Sequence, residues 1–127
     1  MYFKIRAWDK ERKIMYYPRS LGFVDGELEF IDRNSEKINE FGDNSQVVLM
    51  VYTGIRDTNG KEIYEGDIVD VYSFDNHFRR GIVGWYPLRS CFVVEFIDTH
   101  TYTSLGSTIL LYVRGNIYEN SDLLNSI

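Results

Sequence analysis

Hydrophobic and polar residues alternate from the start of the chain. Across residues 2–8 (YFKIRAW), Phe3, Ile5 and Ala7 fall on one face, with Lys4, Arg6 and Trp8 on the other. A period of two is the pattern of a half-buried strand. The polar run Asp9–Lys13 predicts a turn. Ile14–Tyr17 predicts a second strand, stopped by Pro18, which has no N–H to give to a ladder. Phe23-Val24, Asp25-Gly26 and Glu27–Ile31 predict another hairpin, because Asp-Gly tolerates the positive φ of a tight turn. In the polar stretch 32–45, Ile38 and Phe41 are isolated apolar anchors. Ser35 is placed to cap one helical turn carrying both, with a loop as the alternative.

Gln46–Tyr52 is nearly all apolar, which predicts a strand covered on both faces. Thr53–Glu65 is rich in turn formers, and its Asn59-Gly60 pair fits a type I′ turn. Five closely spaced β segments follow: Asp67–Phe74, Arg80–Tyr86, Cys91–Asp98, Thr101–Leu105 and Thr108–Tyr118. Gly81 and Gly84, inside the second, predict strong bending or close backbone approach. Short strands at such even spacing predict a small closed barrel. In Glu119–Ile127, Asn120 or Ser121 caps a short terminal helix, with Asp122 in its first turn and Leu123 and Leu124 packing inward.

Composition agrees with this reading. The 127 residues hold one alanine, Ala7, against 28 Val, Ile or Thr and 20 aromatics. A mainly helical protein is excluded, since alanine favours helices while β-branched and aromatic side chains suit strands. With 44% hydrophobic residues, a disordered chain is excluded too. No apolar run approaches the ~18–20 residues of a membrane-spanning helix, and no leader-like segment precedes the first strand. Cys91 is the only cysteine, so neither a disulfide framework nor a cysteine zinc site is available. A cytoplasmic location is expected.

The net charge of −5 is unevenly spread. Lys4, Arg6, Lys10, Arg12, Lys13 and Arg19 make the first strands basic, whereas residues 25–43 are acidic. The overall field opposes approach to phosphate, although a local basic face can still engage nucleic acid.

Candidate chemistry is sparse. Cys91 lies in an apolar strand and reads as an inert small hydrophobe. His77 and His100 have Asp75, Glu95 and Asp98 near them in sequence, but no histidine pair has metal-ligand spacing. Glu62, Glu65 and Asp67 are clustered enough for acid–base work. The competing reading is a structured turn, in which Asp57 and Asp67 accept backbone N–H groups. Gly81-Ile82-Val83-Gly84 lacks the lysine and the helix of a phosphate cradle. No enzyme, cofactor or metal is expected. A binding surface is better supported. Phe74, His77, Phe78, Arg79, Arg80, Trp85, Tyr86 and Arg89 concentrate aromatics and guanidinium groups that can stack on bases or take an extended peptide.

Three stretches carry a resemblance. Tyr52–Val69 reads YTGIRDTNGKEIYEGDIV; Phe3–Tyr17 reads FKIRAWDKERKIMYY; Gly115–Leu124 reads GNIYENSDLL. In this order they resemble the YopX family of phages and prophages of Gram-positive bacteria, with its N-terminal FRAWD block and its C-terminal GNIYENPELL. Ser121 stands where the family pattern has proline. The resemblance implies a small β-rich protein with an SH3-like barrel in its C-terminal part and no established activity. It marks Tyr52, Gly54, Asp57, Gly60, Glu65, Gly66 and Asp67 as structural motif positions.

The expectation is one mainly β domain. An N-terminal β region (1–52) and a turn-rich connector (53–66) lead into an SH3-like barrel (67–118) and a short helix (119–127). The expected role is that of a non-enzymatic accessory protein that binds a protein partner or itself. The alternative is a nucleic-acid-binding protein using Phe78, Arg79, Arg80, Trp85, Tyr86 and Arg89.

Overall fold

The structure, a computed structural model, describes residues 4–33, 36–38 and 46–125, with side chains described for 4–28 and 46–125. The described residues are mainly strand, and they fall into two compact units, Lys4–Val51 and the chain from Tyr52 onward. No helix among them is long and apolar enough to cross a membrane.

In the first unit β1 (Ile5–Asp9) lies antiparallel between β2 (Ile14–Tyr16) and the first half of β6 (Val47–Arg56). The Asp9 carboxylate accepts the Glu11 and Arg12 N–H groups at 3.0 Å each, which fixes the turn after β1. Ala7 and Tyr16 are buried, with Leu21, Leu28, Val47 and Leu49 packed against them. A second sheet holds β3 (Ser20–Val24), β4 (Glu27–Arg33) and β5 (Glu36–Ile38). Asp25 (φ 51°) and Gly26 (φ 82°) both take positive φ between Val24 and Glu27, as a type I′ hairpin requires. At 36–38 the chain is neither a helical turn nor a loop. It pairs antiparallel with β4, with Arg33 opposite Glu36 and Ile31 opposite Ile38, and Ser35 lies outside the described residues. Phe41 lies outside the described residues.

The second unit is built on β8 (Asp67–Tyr72), β9 (Phe78–Tyr86), β10 (Cys91–Phe96), β11 (Tyr102–Ser104) and β12 (Leu110–Asn116). The sheet order is β11-β10-β9-β8-β12, all antiparallel, so the last strand returns to lie beside the first. The sheet curls around Ile63, Val69, Val83, Val94, Phe96, Leu105 and Leu111. Each such side chain contributes ~1.5–3 kcal/mol on burial. Gly81 permits the curl. A Cβ there would collide with Val94 Cγ1 and come within 2.6 Å of the Glu95 carbonyl oxygen.

Three expectations are corrected in this unit: the closed barrel, the type I′ turn at Asn59-Gly60 and the terminal helix. The curled sheet is a half-barrel and not a closed one. The outer edge of β12 is occupied by a turn, since Val113 N–H reaches the Asp57 carboxylate at 3.0 Å and Leu111 N–H reaches Thr58 Oγ1 at 2.8 Å. The connector is itself a hairpin, formed by the second half of β6 and β7 (Glu62–Tyr64). Its turn is not type I′, because Gly60 alone has positive φ (85°) there and Asn59 does not. Gly60 N–H donates to the Asp57 carbonyl at 2.9 Å and Asp57 N–H to that of Lys61 at 2.8 Å, the pattern of a turn carrying a glycine bulge.

The C-terminal α-helix is replaced by a five-residue 3-10 turn, Ser121–Asn125. Its Leu123 N–H bonds three residues back, to Asn120. Asn116 has already taken the preceding N–H groups: its Oδ1 accepts Tyr118 N–H at 3.0 Å and Glu119 N–H at 2.8 Å. With those N–H groups taken, the following turn closes through the i→i+3 bond of a 3-10 helix.

Candidate functional site

The motif carboxylates serve the backbone. Asp57 Oδ1 accepts Asn59 N–H at 2.9 Å and Lys61 N–H at 2.8 Å, while its Oδ2 takes Val113 N–H. Asp67 is buried, and its Oδ2 accepts Tyr64 N–H at 2.8 Å. Gly66 (φ 86°) turns the chain between β7 and β8, donating to the Val83 carbonyl at 2.9 Å and accepting from Ile117 N–H at 3.0 Å. Gly54 (φ 83°) lies in β6, where Thr53 Oγ1 donates to the Ile63 carbonyl at 2.7 Å. The Tyr52 and Tyr64 rings meet at 5.5 Å. Glu62 faces Arg56 at 3.7 Å, and Glu65 is partly exposed between Tyr64 and Gly66. Cys91 is a partly exposed free thiol at the start of β10. His77 and His100 are exposed, within 3.9 Å of Asp75 and 3.8 Å of Glu95 respectively. Among the described residues no three His, Cys, Asp or Glu side chains group as metal ligands.

Strand alternation distributes the arginine–aromatic run over two faces of β9. Phe78, Arg80 and Tyr86 share the outer face, and Arg79 and Trp85 share the core side with Gly81 and Val83. Arg80 is committed to the fold. Its Nε and Nη2 clasp the Asp70 carboxylate at 2.8 and 3.0 Å, and its Nη1 reaches the Leu123 carbonyl at 3.2 Å. Arg114 Nε joins the same carboxylate at 3.0 Å. The Asp70 hydrogen bonds raise both guanidinium pKa values above the ordinary one. Around this ion triad the Tyr72 ring meets Phe78 at 5.3 Å and Tyr112 at 5.5 Å, and Arg114 lies 5.1 Å over Tyr112.

Arg79 stacks over Phe96 at 3.9 Å and pairs with Asp98 at 3.0 Å, holding that carboxyl below the usual carboxylate range. Trp85, half exposed, packs edge-on against Phe92 at 5.0 Å. Tyr86 stacks on Tyr102 at 5.2 Å, and Arg89 is exposed in the following turn. The six patch residues therefore do not converge.

A different place gathers exposed apolar groups. At the mouth of the half-barrel a cavity of about 210 Å³ lies between the end of β8 and the start of β12. Val71, Phe96 and Thr103 line it from the sheet, Thr108 from the strand-joining segment, and Phe74, Ile109 and Leu110 from the rim. Phe74 is 92% exposed and Ile109 70%. A second cavity, of about 270 Å³, flanks the same segment beside Ile55, Thr58 and Gly106. The segment itself follows a 3-10 turn, Leu105–Ser107, anchored by buried Leu105.

Comparison with known proteins places the chain. A family model described as YopX protein matches residues 4–125. The chain belongs to the YopX family. Two solved structures match almost all of it. Protein EF1440 from Enterococcus faecalis has a TM-score of 0.64 and 27% identity over 98% of this chain and 99% of its own. Protein yopX from Bacillus subtilis has a TM-score of 0.64 and 23% identity over 94% and 96%. No curated protein matches the chain. In this YopX-family chain the cavity residues Ile109 and Leu110 were not legible as a site, although Ile109-Leu110-Leu111 breaks strand alternation and must turn apolar surface outward. The buried acid of the triad also had a signal: Asp70 sits inside the apolar strand Ile68–Val71.

Proposed function

We propose that this YopX-family chain is a non-enzymatic accessory protein of phage or prophage, acting in the bacterial cytoplasm as a protein-interaction module on an SH3-like barrel. The barrel reading is supported by strand order. Four strands in meander, a 3-10 turn after Leu105 and a fifth strand returning to the first give this unit its connectivity. The observation that carries the interaction reading is the cavity at the half-barrel mouth, with Phe74 and Ile109 standing exposed on its rim. Contiguous exposed apolar surface of this kind marks association sites. Affinity capture with the full chain, from host cells before and after prophage induction, tests it alongside light scattering of the purified protein. A protein retained only after induction, or a defined oligomer, supports the reading. A monomer at high concentration that retains nothing refutes it.

The second reading is nucleic-acid binding through the outer face, favoured by Tyr72, Phe78 and Tyr112 around Arg114. Three aromatics beside a partly exposed guanidinium suit base stacking. The charge of −5 opposes it. Gel shifts with single- and double-stranded DNA and RNA at low ionic strength decide, and no shift removes it.

A further inference from the structure

We infer that the half-barrel mouth is a socket for one bulky apolar side chain of an extended segment from a partner protein, and that the segment pairs with the edge of β11. The inference rests on the interaction reading and names its site and occupant. Strand β11 is the outermost strand of its sheet. Phe96 N–H donates to the Thr101 carbonyl at 2.8 Å, and the register continues with Val94 opposite Thr103. In an antiparallel ladder this makes Thr103 an inward-bonded residue and turns the backbone groups of Tyr102 and Ser104 away from β10. Ser107 Oγ donates to the Ser104 carbonyl at 2.8 Å. Among the described residues no hydrogen bond reaches the Tyr102 backbone or the Ser104 N–H from outside.

Thr103, on the same strand, contributes to the cavity. An open edge therefore borders a socket on its core side. An added strand places alternate side chains on that side, where main-chain bonds give affinity and the pocket gives selectivity.

Size selects the occupant. At about 210 Å³ the cavity is smaller than the ~300–1,000 Å³ of sites for small organic ligands. Beside the socket β11 brings a three-residue edge whose outward backbone groups match the main chain of an added strand. A short extended segment satisfies both features at once, the socket with a side chain and the edge with its backbone. The three-residue length of β11 limits pairing to roughly 10 Å of added strand.

Amide NMR of the full chain tests this with defined probes: N-acetyl-leucine amide, N-acetyl-lysine amide and the blocked tripeptide acetyl-valyl-leucyl-valine amide. The leucine probe is expected to shift amides around Val71, Phe96, Thr103 and Thr108, and the lysine probe to leave them in place. The tripeptide is expected to bind about tenfold tighter than the single residue, the worth of one or two net hydrogen bonds. Ser104→Pro isolates the edge, since its φ of −64° already suits proline and only an outward N–H is lost. It should abolish the tripeptide's advantage and keep the leucine response. Ile109→Glu, at an exposed rim position, should weaken both.

Shifts elsewhere, an equal response to lysine, or a tripeptide advantage that survives Ser104→Pro overturns the inference. So does a concentration-dependent dimer lost in Ile109→Glu, which makes the second copy the occupant. A captured partner that Ile109→Glu still binds also overturns the socket, while leaving the interaction reading intact.

Discussion

Replacing Asp70 with alanine is expected to cost the C-terminal unit about 3–5 kcal/mol, the range for breaking a buried ion pair by removing one partner. The side chain is 3% exposed and accepts three charge-assisted hydrogen bonds, two from Arg80 at 2.8 and 3.0 Å and one from Arg114 at 3.0 Å. Without it the Arg80 guanidinium, 13% exposed, stays largely desolvated and loses both carboxylate hydrogen bonds. Arg114 is 40% exposed and can turn to water.

The two arginines should therefore differ. Arg80→Ala is expected to cost about 3 kcal/mol, close to the buried-pair range, and Arg114→Ala about 1 kcal/mol or less. Urea unfolding followed by tryptophan fluorescence and circular dichroism measures each loss, and double-mutant cycles with Asp70→Asn give the coupling energies. Added salt should shrink the Arg114 coupling and leave that of Arg80 nearly unchanged. A loss below about 1 kcal/mol for Asp70→Ala would refute the reasoning, since buried-pair rupture costs several times that. Equal losses for the two arginines would refute it as well.

Three further outcomes are expected. Gly81→Ala should destabilise by about 2–3 kcal/mol in urea unfolding, because its methyl meets the Glu95 carbonyl and not only the Val94 side chain. Pairing it with Val94→Ala should restore little, and full restoration would show that the backbone gives way. Asp57→Asn, with one acceptor oxygen for three N–H groups, should cost about 1–3 kcal/mol and speed hydrogen exchange at Val113, while unchanged exchange would sink it. Asp98 should titrate below the usual carboxylate value of about 3.9, because the Arg79 hydrogen bond favours its charged form. A depressed folded value means that its stabilisation is present above the unfolded value and is lost as pH falls through the folded one. Carboxyl-carbon NMR of wild type and Arg79→Gln checks the direction, and identical titrations would refute the cause.

The strands of the second unit were legible because each is a short run of β-branched, aromatic or other apolar residues punctuated by Gly, Pro, Asn or Asp. Strand alternation contained the fate of the arginine–aromatic run. Arg79 and Trp85 have odd numbers, Phe78, Arg80 and Tyr86 even ones, so one strand must send them to opposite faces. Strand β5 was hidden because Glu36-Lys37-Ile38 has too few apolar residues to show a period, and its pairing with β4 supplies the strand. The terminal helix failed because its capping signals took no account of Asn116, whose carbonyl and side chain engage the preceding turn. The socket was invisible for a different reason. Thr103, Phe96 and Val71 come from three strands, and only the curl of the sheet brings them together.

The return of β12 to lie beside β8 has a consequence for synthesis. The edge of β8 that β12 will occupy is made first, and Val69 and Val71 wait for Leu111 and Val113 to emerge. At ~5–20 residues per second on the ribosome, the ~40 residues between the end of β8 and the start of β12 take some seconds to appear. For that time a nascent chain carries an unpaired, valine-rich strand, a hazard for misassembly between neighbouring polysomal copies. Asp70 lies in the middle of that strand. Arg80, ten residues later, pairs with it on the β9 side, but Arg114 comes only with β12. The last of its three hydrogen bonds therefore forms in the same step that closes the edge.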